Sequence, residues 1–253
     1  MCMLLGFAAG LQDIDGYYYY PPGVCPRRKI ETARAYEWLE TDFVVASYPK
    51  SGTHFLVLTA LLVGFRGELP PRIDLHSMCC SVEFENGEKG DNSKPLDAPL
   101  ADFPTKPRVC ISHMPFHHLN NPETSAGRFV YVMRDPVATL ASARRMEYLI
   151  FGPILSPSMD IFIHYQLHVR KTGWLDHVLG WWSARNNPNV LLLTYETMVS
   201  DPIQSVRRLA AHMRLQLTEA EVSKCAERMD KKWALVCVCA CVCVCVCSET
   251  EIT

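Results

Sequence analysis

Residues 43–55 (FVVASYPKSGTHF) constrain the fold of this chain most strongly. Residues 43–46 are β-branched and apolar, as in a buried strand, and residues 49–52 contain the Pro, Ser and Gly of a tight turn. Residues 54–64 are apolar almost all round, which predicts a buried helix. Backbone N–H groups at the start of a helix lack partners within it and carry partial positive charge. The stretch therefore predicts a strand, a turn and a helix that together bind an anion.

The turn supplies side chains that suit a phosphate or a sulfate. Lys50 is a cation, and Ser51 and Thr53 carry hydroxyl groups beside the helix start. The magnesium-dependent nucleotide loop G-x-x-x-x-G-K-[ST] places its Lys after the glycines, whereas Lys50 precedes Gly52 here. That order disfavours a nucleotide or small-molecule kinase, which stays open as an alternative. A plain strand-to-helix connection capped by Ser51 is the other alternative.

A second strand followed by a helix repeats this arrangement. Residues 129–133 are apolar, and the next helix begins near Pro136, because Pro is common in a first helical turn. Arg134 ends the strand, and Ser142 lies about two turns into the helix. In an open parallel sheet, ligands bind at the carboxyl ends of the strands. We therefore expect Arg134 and Ser142 to bind the same anion as the first turn.

Further apolar strands at residues 108–112 and 190–193 alternate with helical patterns such as residues 202–213. With 253 residues and 49% hydrophobic content, the chain can bury the core of one domain. The prediction is a single α/β domain with a central parallel sheet flanked by helices and a P-loop-like strand–turn–helix. Its predicted parts are an irregular segment at 1–29, the domain at 30–233 and a low-complexity tail at 234–253.

Several local expectations concern less regular segments. The four tyrosines at residues 17–20 precede Pro and Gly and predict a loop. Residues 74–77 are the best short helix candidate in a loop-rich region. The helix after Pro136 is expected to end near Tyr148, so that residues 149–159 form a lid. Further helices are predicted at residues 159–170, 174–186 and 219–229, the last opened by a capping box at Thr218.

His113 follows the apolar strand at residues 108–112 and is therefore expected at the same edge of the sheet. A His takes a proton at neutral pH when its pKa is near its ordinary value. His113 is the histidine that we expect to act in catalysis. His117 and His118 lack Cys or carboxylate neighbours at metal-ligand spacing, so they are interpreted as structural and no zinc site is predicted.

Several motifs together resemble those of the cytosolic sulfotransferases. They stand in the order of that family, and the resemblance extends over roughly residues 30–230. The combination is specific, whereas each motif alone is weak. The motifs are residues 48–53 (YPKSGT), residues 112–115 (SHMP), residues 134–136 (RDP) with Ser142, and residues 193–198 (LTYETM) with residues 201–202 (DP).

The resemblance implies metal-free transfer of a sulfuryl group from 3′-phosphoadenosine 5′-phosphosulfate (PAPS) to a small molecule such as a phenol, alcohol, sterol or amine. It implies that Lys50 and the amides of residues 51–53 stabilise the leaving phosphate, and that His113 is the catalytic base. Arg134 and Ser142 would bind the 3′-phosphate. The implied cofactor-binding residues are Lys50, Ser51, Gly52, Thr53, His54, Phe55, Arg134, Ser142 and Tyr195.

The chain also departs from the family pattern. Phe55 stands where a Trp is usual, which keeps a ring to stack on adenine, and His54 replaces a more usual Thr. The late Arg-Lys-Gly and Gly-Asp-Trp-Lys segment and the C-terminal dimerisation motif do not occur, and residues 236–247 alternate Cys with Val or Ala instead. A catalytically impaired product that at most binds nucleotide is therefore an alternative. Dimerisation through that motif is not expected.

Composition limits the partners and the location. A formal net charge of −2 gives no basic field, so nucleic acid is not expected as a partner. Residues 1–10 lack the basic start of a secretory signal, and no membrane segment is predicted. Outside the tail the cysteines are scattered, at spacings typical of neither a zinc site nor a disulfide framework. A reduced, cytoplasmic protein without a membrane partner is therefore predicted.

Overall fold

The computed structural model describes residues 12–20, 22–70, 75–84, 94–155, 158–164 and 173–229, and the predicted tail at 234–253 lies outside them. The strands are β1 (Gln12–Ile14), β2 (Tyr17–Tyr19), β3 (Asp42–Ser47), β4 (Cys80–Ser81), β5 (Arg108–Ser112), β6 (Arg128–Met133) and β7 (Val190–Thr194). The helices are α1 (Arg27–Ala35), α2 (Thr53–Gly64), α3 (Pro136–Leu155), α4 (Met159–His164), α5 (Trp174–Ser183), α6 (Tyr195–Ser200), α7 (Pro202–His212) and α8 (Glu219–Glu227).

The main sheet is parallel throughout and has the order β4–β5–β3–β6–β7. β3 lies at its centre, and the chain adds β4 and β5 on one side before β6 and β7 on the other. Such a reversal is a topological switch point, where the carboxyl ends of the strands leave a crevice. The predicted α/β fold with a central parallel sheet and flanking helices is confirmed.

The register brings the ends of the strands together at one edge. Ala46 of β3 pairs with Ser112 of β5, which His113 follows. Met133 of β6 pairs with Thr194 of β7. The residues that directly follow β3, β5, β6 and β7 therefore lie at the same edge of the sheet. They are Tyr48, His113, Arg134 and Tyr195.

Helix α2 is covered on every side. Residues 55–63 are all buried, because α2 packs between the sheet and helices α7 and α8. A helix that is apolar all round needs such cover, so the prediction from its composition is confirmed. On the opposite face of the sheet, Trp181 of α5 is fully buried and stacks on Tyr131 of β6 with ring centroids 4.9 Å apart.

The predicted loop at residues 17–20 is wrong, because β1 and β2 form an antiparallel hairpin. Asp15 and Gly16 at its turn have φ angles of 54° and 83°. The Asp13 carboxylate accepts a hydrogen bond from the Gly16 N–H at 2.8 Å. An Asp-Gly pair is typical of two-residue hairpin turns, and this pair is the signal for the hairpin in the sequence. The segment predicted as irregular therefore contains a hairpin and the first residues of α1.

The predicted end of α3 near Tyr148, with a lid after it, is also wrong. The helix continues through Gly152 and Pro153 to Leu155. Propagation of a nucleated helix costs little per residue, and a Pro in the last turn removes one hydrogen bond from a long ladder. Gly152 and Pro153 therefore do not end the helix at Tyr148, because they lie in the last turn of a long helix.

The remaining local predictions have mixed outcomes. Residues 75–78 form a turn, so the predicted helix at 74–77 is wrong; four residues are too few to nucleate one. Helix α4 confirms the predicted helix at residues 159–170 as far as His164, and residues 165–170 lie outside the described part. The capping box at Thr218 is confirmed, and Glu221 completes it.

Candidate active site

The turn after β3 depends on glycine at position 52. Gly52 has a φ of 107°, and Lys50 also lies in the left-handed region at 70°. A Cβ atom on Gly52 would lie 2.6 Å from the ring of Tyr195, so a larger residue does not fit without movement. Gly52, which has no side chain to offer, is the N-cap of α2. The alternative in which Ser51 caps the helix is therefore wrong, and the first amide groups of α2 are left for an anion.

Ser51 and Thr53 contribute hydroxyl groups in different ways. The Thr53 hydroxyl bonds Ser47 Oγ at 2.5 Å, which ties the start of α2 to the end of β3. The Ser51 hydroxyl is buried and has no hydrogen-bond partner among the described residues. A buried unpaired polar group costs about 1–3 kcal/mol. An oxyanion bound at the turn would supply the missing partner.

Lys50 and Arg134 bring two positive charges to the turn. Arg134 donates from Nη1 to the backbone oxygen of Lys50 at 3.2 Å. Burial and the neighbouring Arg134 guanidinium lower the pKa of Lys50. Neither side chain forms an ion pair with a carboxylate in the described part of the chain. The two cations repel each other, and a bound anion would relieve that repulsion.

Tyr195 connects Arg134 to α2. Its ring lies 4.6 Å from Arg134 Cζ in a cation–π contact, and 5.5 Å from the ring of Phe55. Asp135 caps α3 by accepting a hydrogen bond from the Ala138 N–H at 2.8 Å, which fixes the segment after Arg134. Five of the sequence-predicted residues therefore form one connected group. They are Lys50, Gly52, Phe55, Arg134 and Tyr195.

Two other predicted nucleotide-binding residues lie beside this group. His54 is half-buried in the first turn of α2, and its ring lies 5.5 Å from that of His76. Ser142 is half-buried two turns into α3, the helix that starts just after Arg134. Their roles stay predictions.

His113 lies at the end of β5, next to the same turn. Its Nδ1 lies 2.7 Å from the backbone oxygen of Ser47. Because a carbonyl oxygen only accepts, Nδ1 must carry the proton, and the lone pair of the neutral ring is on Nε2. Ser47 thus holds the histidine with its carbonyl group and the start of α2 with its hydroxyl group.

The protonation of His113 differs from the sequence-based expectation. Burial, and to a lesser extent the charge of Lys50, lower the pKa of His113 to about 4. The expected pKa near the ordinary value is therefore wrong, because the sequence does not show how far the fold removes this half-buried ring from water. The ring is neutral at pH 7, as a base must be, and its proton affinity is weaker than that of an exposed His.

A cavity opens beside His113 on the side of the hairpin. Its empty space is about 450 Å³, which includes solvent at its mouth. Six of its twelve lining residues are Tyr or Phe, and strand β2 of the hairpin supplies three of them. The aromatic lining residues are Tyr17, Tyr18, Tyr19, Tyr20, Tyr48 and Phe84.

Sequence reasoning missed two polar residues of this cavity. Glu83 and His177 both line it next to His113. Glu83 lies between Val82 and Phe84 directly after β4, and a carboxylate between two apolar residues is the signal that could have identified it. His177 carries no local signal, since only the packing of α5 against the sheet brings it to the site.

Among the described residues, no group of three or more His, Cys, Asp or Glu side chains is arranged to hold a metal ion. The cysteines of the described part are free and buried. No helix in that part is both long and apolar enough to cross a membrane.

The fold and the site define a class: an α/β protein whose central strand leads through a glycine turn to the start of a helix, with two cations beside that turn. The comparisons with known proteins narrow this class. The family described as the sulfotransferase domain matches residues 40–233. The chain belongs to this family, and the resemblance seen in its motifs is confirmed.

Curated relatives agree with the family assignment. The chain is 31% identical to cytosolic sulfotransferase 17 of Arabidopsis thaliana over 229 residues, which cover 83% of this chain and 61% of the relative. It is 26% identical to sulfotransferase 2A2 of Rattus norvegicus over 187 residues, which cover 73% and 63%. The chain thus spans a little over three fifths of the length of these relatives.

Solved structures share the fold. One is retinol dehydratase in a complex with retinol and PAP, with a TM-score of 0.71, 18% identity, and coverage of 92% of this chain and 78% of that one. Another is a mouse sulfotransferase complexed with PAP, with a TM-score of 0.64, 21% identity, and coverage of 88% and 75%.

Proposed function

We propose that this protein transfers a sulfuryl group from PAPS to a hydroxyl or amine group of a small molecule. One observation carries the proposal: Ser47 binds both the half-buried, neutral His113 and the start of the helix whose turn holds Lys50. A base and an anion site are thereby fixed to the same strand end. Membership of the sulfotransferase family supports this reading over that of a kinase.

The turn suits the phosphosulfate end of PAPS. The Ser51 hydroxyl, which has no partner in the described part of the chain, favours an anion there, as do the amides after Gly52 and the charge of Lys50. When bound, PAPS supplies the sulfuryl group, and negative charge grows on the phosphate oxygen that it leaves. Lys50 lies where it would stabilise that charge.

His113 acts on the acceptor in this proposal. Its Nε2 lone pair takes the proton of the acceptor hydroxyl, while Nδ1 stays bonded to Ser47. An anion bound at the turn would favour the imidazolium form and offset the effect of Lys50 on the His113 pKa. The base would therefore be stronger in the nucleotide complex than in the free protein.

The nucleotide is assigned to the group around Arg134. Arg134 and Ser142 would neutralise the 3′-phosphate, and the rings of Phe55 and Tyr195 would contact the base. Two structural neighbours were solved with PAP, the desulfated form of the donor, which supports a PAPS site in this fold. His54 completes the proposed set.

The aromatic cavity suits a small acceptor with an apolar body. The names of relatives include an amine sulfotransferase and a 3-alpha-hydroxysteroid sulfotransferase, which supports phenol, alcohol, sterol and amine acceptors as the range to test. The names of the Arabidopsis relatives support a cytosolic location. We propose residues 30–233 as the catalytic domain.

Calorimetric titration with PAP and with ATP tests the nucleotide assignment. We expect PAP to bind and ATP to bind more weakly, because ATP has no 3′-phosphate for Arg134. Equal or tighter binding of ATP would favour the kinase alternative. Binding of PAP without any transfer from PAPS would favour the catalytically impaired alternative.

A further inference from the structure

The peptide groups on both sides of His113 are held by side chains from other elements. The backbone N–H of His113 donates to Glu83 Oε1. The backbone oxygen of His113 lies 3.0 Å from His177 Nε2, which donates to it. Together with the bond from its own Nδ1 to Ser47, three separate segments hold this one residue.

The contacts of His177 select one tautomer of its neutral ring. Its Nε2 must carry a proton to donate to a carbonyl oxygen, and in the neutral ring Nδ1 then accepts the hydrogen bond from the Tyr131 hydroxyl at 2.8 Å. The two rings also stack, with centroids 5.6 Å apart. Since Tyr131 is fully buried in β6, the position of the His113 carbonyl is set by the sheet itself.

Glu83 is held on the other side. It is 1% exposed, and the N–H of the neighbouring Val82 donates to the oxygen of Ile111 at 3.1 Å, which ties this segment to β5. Its second carboxyl oxygen has no hydrogen-bond partner in the described part of the chain. Burying a carboxyl group in this way is costly, and hydrogen bonds from the His113 N–H and the Ser112 side chain offset part of that cost.

We propose that Glu83 and His177 are positioning residues, which fix the backbone of His113 so that its Nε2 faces the acceptor cavity. This inference rests on the proposed function, in which His113 is the base. The bonds at the backbone stop the segment from shifting, and the bond from Nδ1 to Ser47 then sets the direction of the ring. A displacement of about 1 Å in a reacting group can lower a rate by about a hundredfold.

Both residues also line the cavity, so direct contact with the acceptor is the competing role. The two roles predict different kinetics. Loss of positioning lowers kcat and leaves the acceptor KM nearly unchanged, whereas loss of an acceptor contact raises KM.

Two pairs of variants separate the hydrogen bonds from packing. His177→Phe keeps a ring on Tyr131 but loses the donor, and His177→Gln keeps a donor close to the position of Nε2. Glu83→Leu has a side chain of similar volume but loses the hydrogen-bond acceptor. Glu83→Gln keeps one side-chain oxygen that can accept the hydrogen bond. The matched control is His212→Phe, because His212 Nε2 also bonds a strand carbonyl, that of Phe129 at 2.9 Å, but does not line the cavity.

We expect His177→Phe and Glu83→Leu to lower kcat by at least about tenfold, with KM for the acceptor within about twofold of the parent value. His177→Gln and Glu83→Gln should recover most of the loss, and His212→Phe should keep the parent kcat. An unchanged kcat in His177→Phe and Glu83→Leu would overturn the proposal. So would a rise in KM alone, or a loss in the two conservative variants as large as in the disruptive ones.

Nitrogen NMR of the imidazole rings in the full chain gives a readout that needs no turnover. The parent should show His113 with its proton on Nδ1, and His177→Phe should show a mixture of the two tautomers. An unchanged His113 spectrum in His177→Phe and Glu83→Leu would overturn the inference by itself.

His113→Ala distinguishes this inference from the proposed function. If His113→Ala keeps its turnover, the assignment of the base fails. If His113→Ala loses turnover while His177→Phe and Glu83→Leu keep theirs, the base assignment stands and only the positioning role fails.

Discussion

The residues of the site owe their chemistry to what surrounds them. Lys50 and Arg134 lie side by side without a carboxylate partner in the described residues, and the buried Ser51 hydroxyl has no hydrogen-bond partner there. His113 is neutral because the fold removes its half-buried ring from water, and a single strand end fixes its tautomer. The two cations and the Ser51 hydroxyl are less stable alone than they would be with a polyanion bound nearby.

The cation pair gives the first prediction. Lys50→Ala and Arg134→Ala should each weaken PAP binding by about ten- to a hundredfold, because each removes a charge-assisted contact worth about 1.5–3 kcal/mol. Calorimetric titration measures this. Arg207→Ala is the control, since Arg207 is exposed and pairs with Glu219 on the surface. Parent-like affinity in both site variants would show that the anion binds elsewhere.

The protonation of His113 gives the second prediction. Its pKa is lowered from 6.5 to about 4, so the ring of the free protein should stay neutral as pH falls from 7 to 5. Bound PAP should raise that pKa, because negative charge favours the imidazolium form. By linkage, PAP should then bind more tightly as pH falls through the raised pKa. A titration of His113 by nitrogen NMR with a midpoint near 6.5 in the free protein would contradict this.

At the scale of elements, the turn between β3 and α2 is the feature that the sequence predicted best. The strand, the Gly and the apolar helix follow one another directly in the sequence, and the strand before Arg134 is an equally local pattern. These local patterns were therefore enough to predict that Lys50, Gly52, Arg134 and Tyr195 lie at one edge of the sheet.

Other parts of the site could not be predicted from local patterns. Glu83 and His177 reach His113 from segments about 30 and 64 residues away in sequence, and only the sheet order and the packing of α5 bring them together. The His113 pKa depends on burial by the whole fold. The hairpin is different, because the Asp15-Gly16 turn signal was present in the sequence and was overlooked.

The turn gives the third prediction. Gly52→Ala should lower stability by about 1–3 kcal/mol and weaken PAP binding, because its φ is 107° and its Cβ would meet the Tyr195 ring. Gly23→Ala is the matched control, since no atom lies within 4 Å of a Cβ there. Urea unfolding and calorimetry measure the two effects. Equal behaviour of the two variants would mean that the turn tolerates a side chain.

At the scale of the whole molecule, a buried ion pair joins two strands of the sheet at the edge opposite to the site. Arg108 Nε donates to Asp42 Oδ1 at 2.6 Å, and both side chains are at most 2% exposed. The pair links the amino ends of β3 and β5, the two strands whose other ends carry the anion turn and His113. Arg108 Nη1 also donates to the oxygen of Leu96 at 2.9 Å, which ties the preceding loop to the sheet.

This ion pair gives the fourth prediction. Asp42→Ala should destabilise the protein by about 3–5 kcal/mol, because it leaves Arg108 charged and unpaired in the core. Removal of both partners, as in Asp42→Ala with Arg108→Leu, should cost less than the sum of the two single changes. Chemical unfolding of the single and double variants measures this coupling. Additive losses would show that the two side chains act independently.

The central claim is that His113 takes the acceptor proton while the turn at Lys50 holds the donor. The most direct measurement is transfer of labelled sulfate from PAPS to a panel of phenols, alcohols, sterols and amines, run in parallel with PAP titrations. We predict transfer by the parent chain, and loss of transfer with nearly unchanged PAP affinity in His113→Ala, because a general base does not hold the donor. Transfer by His113→Ala at the rate of the parent would contradict the account.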